Sequence, residues 1–278
     1  MANTIGFGQG AVNNTNGFGK APTNNTIDFG EVCADSWSPE TNLVGGSSFS
    51  NTQSIDLDGV DDIVTMGDVL DMANDGTDAF TISCWFKTTD TATQMLIAKQ
   101  TNASPYNGYN LYLSSNRFKF HLGTTSSSAV IQGQTGLIGT ITDGNWHHLA
   151  LTYDGSQDIS GFNLYYVNSN ITIITTTNNT PNAVANSAHF LIGARGTSSS
   201  YGLNFDGATD EVAYFNSELS ASDISTIYGT GAPSDLSSLS PVSWWRFEGT
   251  GTTATDSGSG GNNGTLTNGV TRSSDVPT

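Results

Sequence analysis

Carboxylates dominate the groups in this chain that can do chemistry. There are 25 Asp and Glu against eight Lys and Arg, and Glu31, Glu40, Glu211, Glu218 and Glu248 are the only glutamates. Asp56, Asp58, Asp61 and Asp62 crowd around Gly59. They supply the hard oxygen ligands that calcium takes, although their spacing is not that of an EF-hand loop. The same residues also read as a solvated hairpin around an Asp-Gly turn. Asp210 and Glu211 come closest to the paired carboxylates of a glycosidase, but neighbours on a strand are expected on opposite faces. His121, His147, His148 and His189 all fall in strand patterns. They read as structural positions, since the adjacent His147 and His148 cannot easily share one metal. Cys33 and Cys84 lie too far apart for a disulfide framework or a zinc site, and Cys84 sits in an apolar run as a small buried hydrophobe. Two loops, 104–109 and 197–202, present aromatic and amide groups suited to sugars. Tyr106, Tyr109 and Tyr201 can stack on pyranose faces, and Asn107 can bond hydroxyls. Ordinary loop packing is the alternative. No Gly-x-Ser-x-Gly elbow and no phosphate loop occurs.

The elements that must position these groups follow from composition. Charged residues make up 12% of the chain and hydrophobic residues 36%, against about 25% charged in an average soluble domain. The polar surface therefore comes from Ser, Thr, Asn and the 32 glycines, which favour turns and strands over helix interiors. An all-β protein is expected. The net charge of −17 repels phosphate backbones and anionic lipid, so nucleic acid is excluded as a partner. No apolar stretch approaches the roughly 18 residues of a membrane span, so membrane insertion is not expected. The start, Met1-Ala2-Asn3-Thr4-Ile5-Gly6, has neither the basic nor the apolar region of a secretory signal.

The first 30 residues repeat every 11. Asn3-Thr4-Ile5-Gly6-Phe7-Gly8 returns as Asn14-Thr15-Asn16-Gly17-Phe18-Gly19 and again as Asn25-Thr26-Ile27-Asp28-Phe29-Gly30. The glycines exclude a helix, and so thin a segment buries no core by itself. It is either a low-complexity leader or an extended arm that orders against partner subunits through Phe7, Phe18 and Phe29. The array resembles those at the N-termini of some bacteriophage structural proteins. An arm and junction are assigned to 1–45, a sandwich to 46–230 and a C-terminal segment to 231–278.

From Phe49 on, short alternating runs separated by turn residues predict a sandwich or jelly roll. They include Tyr109-Asn110-Leu111-Tyr112-Leu113 and Phe118-Lys119-Phe120-His121-Leu122. The only helix expected is Ser222 to Tyr228. Several runs recur in one order: Leu57-Asp58-Gly59-Val60-Asp61-Asp62, then Phe80 to Phe86, then Gly144-Asn145-Trp146-His147-His148 through Asp154-Gly155. Phe190-Leu191-Ile192-Gly193 follows, then Phe205-Asp206-Gly207 through Asp210-Glu211-Val212-Ala213-Tyr214-Phe215-Asn216. This set resembles a laminin-G/pentraxin-like domain, of the concanavalin A-like lectin/glucanase fold. The tail, Trp244-Trp245-Arg246-Phe247-Glu248-Gly249 and onward, resembles a segment that ordinarily precedes such a domain. It is read either as completing the sandwich, as in a circular permutation, or as the start of a second module.

The resemblance implies calcium, held by loop carboxylates, with Asp58, Asp62 and Asp210 as candidate ligands. Asp210 is included because its strand carries such a ligand in some relatives. Glucan-cleaving members of the fold use Glu-x-Asp-x-x-Glu on one strand; this chain has no such triplet, so no enzyme activity is expected. The expected function is a non-enzymatic virion surface protein, a phage appendage or decoration, binding glycan or a host-surface component. It would contact other virion proteins and form a homo-oligomer, with a trimer as the guess. A secreted, extracellular bacterial adhesin or carbohydrate-binding module is the alternative.

Overall fold

The computed structural model describes residues 49–124, 129–197 and 200–278; Phe7, Phe18, Phe29 and Cys33 lie outside them. Eight strands form one sheet: β1 (Ser54–Asp58), β3 (Phe80–Lys87), β8 (His147–Tyr153), β9 (Phe162–Tyr166), β10 (Ser169–Ile171), β15 (Asp206–Phe215), β16 (Ser243–Trp245) and β19 (Thr271–Ser273). Their order is β10-β9-β8-β3-β15-β1-β19, with β16 also paired to β15. Nine form the other: β2 (Ile63–Thr65), β4 (Gln94–Gln100), β5 (Gly108–Leu113), β6 (Phe118–Thr124), β7 (Ala129–Thr135), β11 (Ile173–Asn178), β12 (Phe190–Ile192), β17 (Thr253–Ala254) and β18 (Gly264–Thr267). They run β11-β7-β6-β5-β4-β12-β2-β18-β17. A separate hairpin joins β13 (Arg195–Thr197) to β14 (Ser200–Gly202). Strands account for 43% of the described residues and helix for 6%. The two sheets make the all-β, antiparallel jelly-roll sandwich that the alternation predicts.

Alternation fixes the core. Ile82, Cys84 and Phe86 of β3 face inward with Leu149 and Leu151 of β8, meeting Leu111, Phe118, Phe120 and Leu122 from the opposite sheet. Gly133 lies opposite Phe120 in register, and a Cβ there would meet the Phe120 ring at 2.4 Å. Burial pushes the Cys84 thiol up to about 12, which keeps it inert. The outer face of the eight-stranded sheet is apolar too, because a helix covers it. That helix, α1 (Ala221–Tyr228), starts one residue before the expected position and is closed by a capping box between Ser220 and Asp223. Ile224 and Ile227 pack on Ala150, Ala213 and Trp244, and Tyr228 stacks on Trp85 at 5.7 Å. His148 lies beneath it with no exposure. Its Nε2 pairs with Ser83 Oγ at 2.9 Å, and burial lowers it to about 3.

The C-terminal segment adds strands to both sheets: β16 pairs with β15, β19 with β1 and β18 with β2. Trp245 is fully buried, stacks on Phe190 at 5.4 Å and donates its indole N–H to Asn262 O. Asp256 ties the segment together, accepting from the backbone N–H groups of Trp244, Gly258 and Asn262.

Candidate functional site

The inward alternation of β5 and β6 leaves polar residues on the other face of the nine-stranded sheet. Ala98, Asn110, His121 and Gln132 pair in turn across β4, β5, β6 and β7, making one row. Above that row lies a cavity of about 230 Å³, lined among others by Gln100, Tyr106, Asn110, Tyr112, His121, Gln132 and Arg195. Met95 and Leu203 give it apolar patches. None of its lining residues is Asp or Glu.

Hydrogen bonds orient each polar group. Gln100 Nε2 donates to Tyr106 O at 3.4 Å, which turns Gln100 Oε1 toward Asn110 Nδ2 at 2.7 Å and Arg195 Nη1 at 3.3 Å. Asn110 therefore has its acceptor, Oδ1, left over; it is buried and unpartnered. His121 Nε2 faces Gly123 O at 3.0 Å and must be its donor. Nδ1 then accepts from Gln132 Nε2 at 3.2 Å. Burial holds His121 down to about 4, so the ring is neutral at physiological pH. The Arg195 guanidinium carbon lies over the Tyr106 ring, 4.5 Å from its centre, and its Nε donates to Asn102 Oδ1.

The two loops singled out in the sequence meet. Thr101 to Pro105 and Thr197 with Ser200 line a neighbouring cavity of about 270 Å³. Tyr106 belongs to the main cavity, beneath Arg195. Asn107 Oδ1 is buried and unpartnered. Tyr201 lies opposite Gly196 in the β13–β14 hairpin and packs on Ile63, Leu191 and Ala194. Tyr109 does not belong to this surface. It is 1% exposed, in the core, and its hydroxyl donates to Leu70 O at 2.7 Å. The strict alternation that turns Asn110 and Tyr112 outward turns Tyr109 inward. Arg195, Gln100, Asn110, Tyr112, His121 and Gln132 were not expected here, although the alternation of 109–113 and 118–122 already grouped Asn110, Tyr112 and His121 on outward positions.

The candidate metal ligands separate. Carboxylate oxygens of Asp58, Asp61 and Asp62 lie within 4.8 Å of one another. Asp62 Oδ2 accepts from Asp58 N, while Asp62 Oδ1 is buried without a partner. Burial raises Asp62, and the Asp58 and Asp61 carboxylates add to the rise. Asp210 does not join them. In the β1–β15 register Asp58 faces Asp206, and Asp210 lies beyond the other end of the pairing, past Ile55↔Thr209. It bonds Asn51 Nδ2 at 2.8 Å instead.

Asp210 and Glu211 are not on opposite faces. A bulge shifts the β15–β3 register between Asp210 and Ala213, and Glu211 takes a φ of 49°. Asp210 pairs with Trp85, which faces α1, while Glu211 accepts from Trp244 Nε1 at 2.5 Å and from Arg246 Nε at 3.3 Å on that same side. Asp210 has no exposure and Glu211 3%. Burial raises them to about 9 and about 7, and the two carboxyls reinforce Asp210's rise. Such shifts often mark catalytic groups, but these two are sealed beneath the C-terminal segment, out of reach of substrate.

A family model described as the concanavalin A-like lectin/glucanases superfamily matches residues 58–225. Among solved structures, a Bacteroides ovatus ATCC 8483 protein, provisionally described as carbohydrate binding, is 15% identical over 82% of this chain, with a TM-score of 0.57. The chain spans 62% of that protein's length. A heptameric SAP-like pentraxin from Limulus polyphemus is 13% identical, covering 64% of this chain and 82% of its own, with a TM-score of 0.46. A Ruminococcus gnavus IT-sialidase CBM40 bound to α2,3 sialyllactose is 15% identical, covering 65% and 100%, with a TM-score of 0.47. At these identities the likeness is one of fold. No curated protein matches the chain.

Proposed function

Because the chain belongs to the concanavalin A-like lectin/glucanase superfamily, we propose that it is a non-enzymatic glycan-binding protein, carried on a virion by its N-terminal repeat arm. The observation that carries the binding half is the polar row Asn110–His121–Gln132 beneath a cavity roofed by Tyr106 and Arg195. Fixed amides, an aromatic ring and small apolar patches are what a sugar needs: acceptors and donors for hydroxyls, and a flat surface for the C–H face. Most glycoside hydrolases use two carboxyl groups flanking the scissile bond, with tyrosine-nucleophile sialidases among the exceptions, and the cavity wall has no carboxyl group. The virion half rests on the threefold repeat of Phe7, Phe18 and Phe29. Burying each Phe on a partner stabilises by about 1.5–3 kcal/mol, most simply in a symmetric homo-oligomer, with a trimer as the working number. A secreted adhesin or carbohydrate-binding module remains the second reading of the same cavity.

One experiment separates these readings. Deleting residues 1–30 removes the arm and leaves every described strand in place. The truncated protein is expected to bind the same sugars on a glycan array as the full chain, release no reducing ends from them, and lose self-assembly and attachment to particles. Normal assembly and attachment without the arm would remove the virion reading. Turnover of a bound sugar would remove the non-enzymatic one.

A second proposal concerns calcium at the β1–β2 turn. Asp58, Asp61 and Asp62 fit a hard cation, because Asp62 Oδ1 is buried with no donor to satisfy it. The ion would hold the turn and neutralise three mutually repelling carboxylates. Millimolar calcium is expected to raise Tm over chelator by mass action, and Asp62→Asn to abolish the difference. Identical melting curves in calcium and in chelator would refute the site.

A further inference from the structure

Arg195 places a positive charge in the cavity that nothing in the described residues neutralises. The ion pairs among them involve Lys87, Lys99, His147 and Arg246, and Arg195 is in none. Its polar contacts are with uncharged side chains: Nε to Asn102 Oδ1 and Nη1 to Gln100 Oε1, both at 3.3 Å, and the Tyr106 side chain beside them. The guanidinium is half-buried against Tyr106, and it stays charged at any physiological pH. A partly desolvated cation without a counter-charge is costly to keep. The cost is recovered when an anion arrives. None of these partners carries a charge, and a carboxylate is the group that supplies one, through paired hydrogen bonds to the guanidinium.

The rest of the wall limits what the anion can be. Asn110 Oδ1 is a buried acceptor without a donor. It would repel a multiply charged anion and is satisfied by a hydroxyl. His121 is neutral, its Nε2–H already committed to Gly123 O, so no second positive charge is available. Tyr112, Met95 and Leu203 offer surface to C–H groups. One carboxylate, a hydroxyl donor and an apolar ring face describe a single kind of ligand.

We propose that Arg195 and Asn110 form a subsite for an acidic sugar, a uronic or sialic acid whose carboxylate lies on the guanidinium and one of whose hydroxyls satisfies the free Asn110 oxygen. The proposal rests on the glycan-binding reading above and specifies its ligand. It also reconciles a net charge of −17 with an anionic ligand. The long-range field is screened beyond about 8–10 Å in physiological salt, while the Arg195 contact is local and directional.

The test is calorimetric titration of the full chain with matched sugars: galacturonate and glucuronate oligosaccharides, sialyllactose, their methyl esters, neutral lactose and a sulfated lactose. At least one free acid is expected to bind, with its methyl ester weaker by about tenfold or more, as befits loss of a charge-assisted pair. Arg195→Gln should remove the preference for acid over ester. Arg195→Lys, which keeps the charge but not the paired hydrogen bonds, should restore only part of it. The ester comparison uses the unaltered protein, so it decides the matter even if a variant fails to fold. Neutral, esterified or sulfated sugars binding as well as the free acids would overturn the acidic-sugar subsite and leave the glycan-binding reading intact. No binding by any of these sugars, or by any other on a broad array, would overturn both.

Discussion

A chain ending at Ser240 is expected not to fold, although it retains the whole family-matched region, 58–225. The lost segment carries β16, β18 and β19, which pair with β15, β2 and β1. Removing them opens edges in both sheets at once and strips the fully buried Trp245 and the nearly buried Phe247 and Leu266 from the core. Replacing one large buried aromatic by Ala costs about 3–5 kcal/mol, against about 5–15 kcal/mol for the stability of a whole domain. Three buried side chains lost together cost as much as that whole margin, before the lost strand pairing is added. Trp245→Ala alone should lower Tm by about 10 °C and leave Asn262 O without its indole donor. Circular dichroism and thermal melting of the two variants check this. A cooperative transition near the wild-type Tm in the chain ending at Ser240 would make the segment an accessory.

The second large effect is on pH. Asp210 and Glu211 are neutral in the unfolded chain only below about pH 4, but burial holds them protonated in the folded protein up to about 9 and about 7. Around them stand Asn51 and Trp244 as donors, Arg246 as the opposing cation and Glu248 as a further carboxylate. Because the folded state binds more protons, stability is highest at acid pH. It falls as pH rises through the folded values, since the unfolded chain has already ionised. Arg246 lessens the loss at Glu211. In chelator, Tm is expected to fall by about 10 °C from pH 6 to pH 9. Asp210→Asn, uncharged and nearly isosteric, should flatten the upper part of that slope and melt above the wild type at pH 9. A flat profile, with no gain from Asp210→Asn, would mean that both carboxyls are ionised in the folded protein.

What the sequence missed on the way to the fold is instructive. β4 and β7 escaped notice: Gln132 and Gln134 dilute the strand signal of β7, and an irregularity between Met95 and Ile97 breaks the alternation of β4. One of the polar positions that weaken β7 as a strand, Gln132, is the one that serves the cavity. Alternation also failed at Glu211, because one extra residue in a bulge reverses the facing of everything after it until the register recovers.

By itself, the sequence determined the fold class, the core faces of β5 and β6 and the absence of a hydrolase triplet. These rest on local periodicity and residue type, which a strand carries within a few positions of itself. It also brought forward Tyr106 and the loops at 104–109 and 197–202. Only the tertiary structure decided the rest. It sent Tyr109 into the core, separated Asp210 from Asp58 and Asp62, and set Arg195 over Tyr106 beside Gln100, 95 residues away in the chain. It also left Arg195 without a counter-ion and Asn110 Oδ1 without a donor. Whether a charge is paired or an acceptor satisfied depends on which strands become neighbours, and sheet order is a property of the closed sandwich rather than of any segment.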